Sequence, residues 1–227
     1  MKTKKLKFVA HESHDKVSGY LMLPDEAQSL LVLGHGAGAG MFHENMENIA
    51  NELASLDIAT FRYQFPFMER GGGRDKESVS LSTVIHAIEQ AAVLVKDLPI
   101  FAGGHSFGGR MTSLAAASSD FPDRVRGLVF FAFPLHAPNK PSDHRAAHLK
   151  AIKLPMLFLS GTRDTLASFD LLKPVVKNLG RKAKLHPLDT ANHGYKVLKR
   201  SRKSEENVFS EMARVTQNWT SKIIRKS

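Results

Sequence analysis

Leu30-Leu31-Val32-Leu33 is an unbroken apolar run that ends in glycine, and Leu128 to Phe133 and Met156 to Leu159 are runs of the same kind. Apolar stretches of this length without polar alternation mark strands buried on both faces of a parallel sheet. Met46, Ile49, Ala50 and Leu53 recur at helical spacing and are followed by a further strand, Ile58 to Tyr63, which completes a β-α-β unit. The alternation continues with a helix over Val79 to Lys96, a strand at Ile100 to Gly103 and a helix over Gly108 to Ala117. Beyond the two later apolar runs come a helix over Asp170 to Leu179, a strand at Lys184 to Leu188 and a helix from about Ser204. Phe8-Val9-Ala10 and Val17 to Leu23, the second stopped by Pro24, predict an antiparallel pair at the sheet edge. The whole predicts an α/β fold with a mostly parallel, twisted sheet and helices on both faces.

Two gaps in the pattern matter. Between Phe133 and Met156 stand Pro134, Pro138, Pro141 and Pro155, so at most one short helix fits there, around Asp143 to Ala151, and a multi-helix cap does not. Gly71 to Lys76 reads as a surface loop after a strand rather than a linker, and no internal repeat is present, so residues 1–227 are expected to form a single domain.

Composition narrows the classes without naming a function. The 227 residues are 42% hydrophobic and 24% charged, which suits a globular chain and excludes fibrous or largely disordered ones. Zero cysteines exclude disulfides, thiolate metal sites and a cysteine nucleophile. Residues 8–15 hold no apolar core of a signal peptide, and no segment approaches the roughly 18 apolar residues of a membrane span. A cytoplasmic protein without membrane insertion is expected. The formal charge of +10 favours anionic partners. Lys196, Lys199, Arg200, Arg202 and Lys203 concentrate that charge before the last helix, but no nucleic-acid motif or aromatic stacking pattern accompanies them. They read as a solvated face, and nucleic acid is not an expected partner.

Candidate chemistry lies in Gly103-Gly104-His105-Ser106-Phe107-Gly108-Gly109, a G-x-S-x-G pentapeptide between a buried strand and a helix. A serine on such a sharp turn has a strained backbone, and the flanking Gly104 and Gly108 remove side chains that would collide there. A turn that only packs tightly or cradles a phosphate is the bland alternative. Serine is a weak nucleophile and needs a base that a carboxylate orients, in the chain order serine, acid, histidine. Asp164 follows the Met156 to Leu159 strand and His193 follows the Lys184 to Leu188 strand, both at the carboxyl edge. Asp189 and Asp170 compete as the acid, although Asp170 reads better as a helix cap. Gly34-His35-Gly36-Ala37-Gly38-Ala39-Gly40 follows another strand, so the backbone N–H groups of Ala37 and Phe107 are the expected oxyanion donors, with His35 a structural residue.

Other candidates carry less. His144 and His148 stand four apart, but Arg145-Ala146-Ala147 between them holds no glutamate for a zinc protease, and no metal or cofactor is expected. Arg62, Arg70 and Arg74 lie at the same edge as the serine and read as solvated charges, with contact to a substrate carboxylate as the sharper alternative.

With Gly-His-Gly-Ala-Gly, Gly-His-Ser-Phe-Gly, Gly-Thr-Arg-Asp and Asn-His-Gly in this order, the chain resembles the α/β-hydrolase superfamily over nearly its whole length. It is similar to the dienelactone-hydrolase-like branch. Phe61-Arg62-Tyr63-Gln64-Phe65-Pro66-Phe67 and the glycine-rich segments are also similar to a small family shared by a testis-expressed protein and a chromatin-complex subunit. The resemblance implies Ser106 as nucleophile, Asp164 as acid and His193 as base, acting on an ester, thioester or related acyl bond of a small-molecule substrate. The chromatin relative leaves a catalytically silent scaffold as the alternative.

Overall fold

The computed structural model describes residues 1–11 and 16–225; the 8–15 stretch read above therefore lies partly outside the described residues. The strands are β1 (Lys2–Val9), β2 (Lys16–Leu23), β3 (Ser29–Gly34), β4 (Ile58–Tyr63), β5 (Ile100–His105), β6 (Val125–Phe131), β7 (Met156–Gly161) and β8 (Ala183–Leu188). They form one eight-stranded sheet in the order β1-β2-β4-β3-β5-β6-β7-β8. β1 pairs antiparallel with β2 and β2 with β4, and every later pairing is parallel. The helices are α1 (Glu44–Ala54), α2 (Pro66–Arg70), α3 (Glu77–Leu94), α4 (Phe107–Ala115), α5 (Phe169–Asn178) and α6 (Val208–Ile224).

Successive strand residues serve opposite faces, which explains why the central strands are apolar throughout. Leu30 and Val32, Leu128 and Phe130, and Met156 and Phe158 pack with Ala87 and Ile88 of α3, Met111 of α4 and Leu172 of α5. Leu31 and Leu33, Val129 and Phe131, and Leu157 and Leu159 pack with Met46 and Ile49 of α1 and Met212 and Val215 of α6.

Several elements differ from the sequence reading. β1 starts at Lys2, where its lysines are exposed and only Phe8 is buried; lysine on an edge strand blocks pairing with another chain. β6 stops at Phe131 because Ala132 turns the chain out with φ 55°. The segment after β4 is not simply a loop, since Pro66 opens the short α2 before Gly71 ends it at φ 71°. Ser168, not Asp170, stands at the cap of α5, and Asp170 lies in its first turn. α6 begins at Val208, with Asn207 as cap accepting from the Phe209 N–H. Between β6 and β7 there is only a 3-10 helix, His144–Lys150. Among the described residues no helix is long and apolar enough to cross a membrane.

Register decides which loops meet. Gly34 pairs with Gly104, so the loops leaving β3 and β5 emerge side by side. Gly161 pairs with Leu188, which does the same for the loops leaving β7 and β8.

Candidate active site

Ser106 joins β5 to α4 with φ 51° and ψ −112°, a backbone conformation that costs on the order of 1–3 kcal/mol. Gly104 and Gly108 make it sterically accessible, though against a different partner from the one expected. A Cβ on Gly104 would lie 2.5 Å from the Gly34 carbonyl oxygen, and one on Gly108 would overlap the same carbonyl group. The collision is mainly with the neighbouring strand, and only secondarily across the turn.

His193 Nε2 stands 2.9 Å from Ser106 Oγ. Its Nδ1 lies 2.8 Å from Asp164 Oδ2 and 3.0 Å from Oδ1. The carboxylate can only accept, so Nδ1 carries the ring proton and Nε2 is free to accept from the serine hydroxyl. Asp164 is buried, and its Oδ1 also accepts the Leu166 N–H at 2.7 Å. The acid and histidine loops are tied together by Arg163 N–H to Ala191 O at 2.9 Å and Thr190 N–H to Thr162 Oγ1 at 2.9 Å. This close approach requires Gly161, whose Cβ would overlap the Ala191 carbonyl.

The competing acids are engaged elsewhere. Asp189 Oδ2 accepts the Lys203 N–H at 2.8 Å, and its carbonyl accepts from Arg202 at 2.7 Å. Arg202 is thereby not part of the solvated basic face: it also pairs with the buried Glu211. A second serine–histidine pair, Ser113 and His148, is 2.8 Å apart. Ser113 Oγ donates back to the Arg110 carbonyl at 2.7 Å, so His148 must be the donor between them. That pair clamps the 3-10 helix to α4 and leaves no base facing a hydroxyl proton.

The loop after β3 is held from the exit of β4, a feature the sequence did not reveal. Met41 O accepts from Arg62 Nη1 at 3.0 Å, the Met41 N–H donates to Gln64 Oε1 at 2.8 Å, and the Phe65 N–H donates to His35 Nε2 at 3.0 Å. Arg62 is thus neither solvated nor in the cleft; it is 1% exposed, with its guanidinium carbon 5.0 Å from the Tyr20 ring and 5.4 Å from the Phe42 ring. Arg70 pairs with Asp75 at 2.6 Å. Arg74 alone of the three reaches the cleft, which has a volume of about 410 Å³ and is lined also by Ala37, Ala39, Met46 and Leu166 around Ser106 and His193. Ala37 lies in the lining of the same cleft as Ser106. Phe107, as first residue of α4, has an N–H with no intrahelical acceptor. Among the described residues no group of three or more His, Asp or Glu side chains is arranged to hold a metal ion.

Burial keeps two site histidines neutral. His35, with Nδ1 donating to the Gly36 carbonyl at 2.7 Å, is pushed down to about 4 by desolvation. His105 is pushed down to about 4 by desolvation and then by His193. Both titrate near 6.5 when unfolded, so unfolding takes up protons between these values. The stability from keeping them neutral is present above about pH 6.5 and is lost as pH falls toward 4, on the order of 3 kcal/mol per site. Urea midpoints should fall steadily from pH 7 to pH 4.5, and His35→Gln should flatten the slope. Midpoints independent of pH over this range would contradict the assignment.

A strained serine at a strand-to-helix turn, hydrogen-bonded to a histidine on an eight-stranded sheet of this order, defines the α/β-hydrolase class of fold. A family model described as an alpha/beta hydrolase domain matches residues 27–221, and the chain belongs to that family. Among solved structures, dienelactone hydrolase from Anabaena variabilis superposes with TM-score 0.73 at 17% identity, over 97% of this chain and 98% of that one. Est1E from Butyrivibrio proteoclasticus gives 0.70 at 15% identity, over 97% and 99%. A serine hydrolase from Xanthomonas campestris, described as without lid, gives 0.69 at 14% identity, over 99% and 94%. At these identities the likeness is one of fold, and the fold is dienelactone-hydrolase-like.

Proposed function

We propose that this single-domain chain is a serine hydrolase that cleaves a carboxylic ester, thioester or related acyl bond of a small soluble substrate through an acyl-enzyme. The observation that carries this reading is the continuous hydrogen-bonded chain from Asp164 through His193 to Ser106 at the exit of a strained turn. Ser106 Oγ attacks the carbonyl carbon while its proton passes to His193 Nε2. Asp164 holds the Nδ1 tautomer and stabilises the imidazolium that forms. The Ala37 and Phe107 N–H groups receive the oxyanion, where one such donor is worth roughly 3–4 kcal/mol. Collapse of the tetrahedral intermediate expels the leaving group, which takes the proton from His193. Water, deprotonated by the same nitrogen, then releases the acid and regenerates the serine. No cofactor enters these steps.

Substrate size follows from the connection between β6 and β7, which holds only the 3-10 helix His144–Lys150. An apolar tunnel would gain up to about 0.8 kcal/mol for each methylene it enclosed. An open cleft gains little of this. In a series of p-nitrophenyl esters from acetate to palmitate, kcat/KM should be highest for the shortest acyl groups and show no jump above the aggregation threshold. A rise toward long chains or activation on aggregates would contradict the small-substrate reading and identify the segment 65–76, which already borders the cleft through Arg74, as a lid.

A further inference from the structure

One arginine lines the cleft and two more stand behind it on α4 and the 3-10 helix, and acyl transfer alone makes no use of them. Arg74 borders the cleft beside Ser106, with its guanidinium carbon 5.6 Å from the centre of the Phe107 ring. Arg110 stands one turn into α4, its N–H donating to the Ser106 carbonyl at 3.0 Å. Arg145 lies on the 3-10 helix that the His148–Ser113 hydrogen bond clamps to α4 at 2.8 Å. Arg145 precedes His148, and Arg110 precedes Ser113, by one turn on their helices, so the clamp brings the two arginines toward each other. Partial burial, then the charges of Arg110 and Arg74, lower the Arg145 guanidinium's hold on its proton.

Carboxylates do not neutralise this cluster. Glu77 reaches Arg110 at 3.5 Å and is exposed, while Asp75 is occupied by Arg70 at 2.6 Å and by the Phe67 N–H at 2.7 Å. Among the described residues no carboxylate lies within ion-pair distance of Arg74 or Arg145, and Arg110 Nε is a buried donor with no acceptor. Arg202 and Arg214, by contrast, are each matched to a carboxylate, Glu211 and Glu206.

We propose that Arg74, Arg110 and Arg145 form a subsite for a phosphate dianion carried by the acyl substrate. The proposal rests on the hydrolase reading of Ser106 and adds the substrate class. Three guanidiniums facing one exposed carboxylate leave an excess of two positive charges, which a monocarboxylate would half compensate and a phosphate monoester compensates fully. Its three terminal oxygens also suit forked donors approaching from several directions.

The test compares paired substrates on the intact chain at pH 8, where the phosphate is dianionic. Phenyl acetate is set against 4-acetoxyphenyl phosphate for the leaving-group side, and phenyl butanoate against phenyl 4-phosphonooxybutanoate for the acyl side. Matching carboxylate-bearing esters serve as monoanions. On at least one side the phosphate ester should exceed its neutral parent by about tenfold or more in kcat/KM, mostly through KM, and the ratio should shrink with added salt. Arg145→Gln should lower that ratio and Arg145→Glu should bring it below one. Inorganic phosphate should inhibit hydrolysis of the phosphate ester competitively, which separates a bound free anion from a substrate group. Neutral esters cleaved without any phosphate preference, or a carboxylate preferred over phosphate, would overturn the subsite while leaving the hydrolase reading intact. Phosphate binding that Arg145→Glu abolishes, on a chain that cleaves none of these esters, would support the subsite and refute the hydrolase.

Discussion

Ser106→Ala should lower ester hydrolysis by about 10⁴- to 10⁶-fold, to the background that binding and oxyanion donors alone sustain. In the proposed mechanism the hydroxyl is the group that becomes acylated. Ser113, which also touches a histidine, gives its proton to the Arg110 carbonyl. Stability should change little, because alanine meets the same demand of φ 51° that serine already satisfies and leaves no cavity in the core. Thermal unfolding and circular dichroism of the variant should therefore match the parent within about 1 kcal/mol, the range of substitutions outside the core. Substantial remaining turnover would remove Ser106 from the reaction.

Asp164→Asn should lower kcat by about 10⁴-fold with the fold intact, and here the geometry specifies the reason. Oδ1 of Asp164 accepts the Leu166 N–H at 2.7 Å, and Oδ2 is the oxygen nearer His193 Nδ1. An asparagine must keep its carbonyl toward that N–H, which turns its amide NH₂ toward Nδ1. The imidazole then accepts at Nδ1, carries its proton on Nε2, and cannot take one from Ser106. Asp189→Asn provides the contrast. It retains an oxygen able to accept the Lys203 N–H and should leave the rate within a few fold of the parent. A crippling effect of Asp189→Asn with a mild one of Asp164→Asn would reverse the assignment of the acid.

The features that place this constellation were readable from sequence because each is local. β3, β6 and β7 are apolar on both faces and cannot be mistaken for amphipathic elements. Ser106 and Asp164 follow the buried strands β5 and β7, and His193 follows the half-exposed edge strand β8, all at the carboxyl end, so the parallel sheet carries them to one edge. What escaped depends on partners distant in sequence or on elements too short for periodicity. Arg62 looks like a surface charge until Tyr20 and Phe42 enclose it. The five-residue α2 is shorter than two helical turns and shows no repeat. Ser204 and Asn207 both resemble helix caps, and each side chain accepts an N–H two residues on, from Glu206 and Phe209 respectively; only the backbone after Asn207 continues as a helix. The arginine cluster draws Arg74, Arg110 and Arg145 from three separate segments: Arg74 meets α4 at Phe107, and the packing of the 3-10 helix on α4 brings Arg145 toward Arg110.

The central claim is that Ser106 is the nucleophile, and covalent trapping tests it most directly. The intact protein would be treated with a fluorophosphonate, its mass measured, and the labelled peptide sequenced by tandem mass spectrometry. One adduct per chain on the peptide containing Ser106, slowed by Asp164→Asn and absent from Ser106→Ala, is the expected result. Labelling at Ser113 or another hydroxyl, or full labelling of Ser106→Ala, would contradict it.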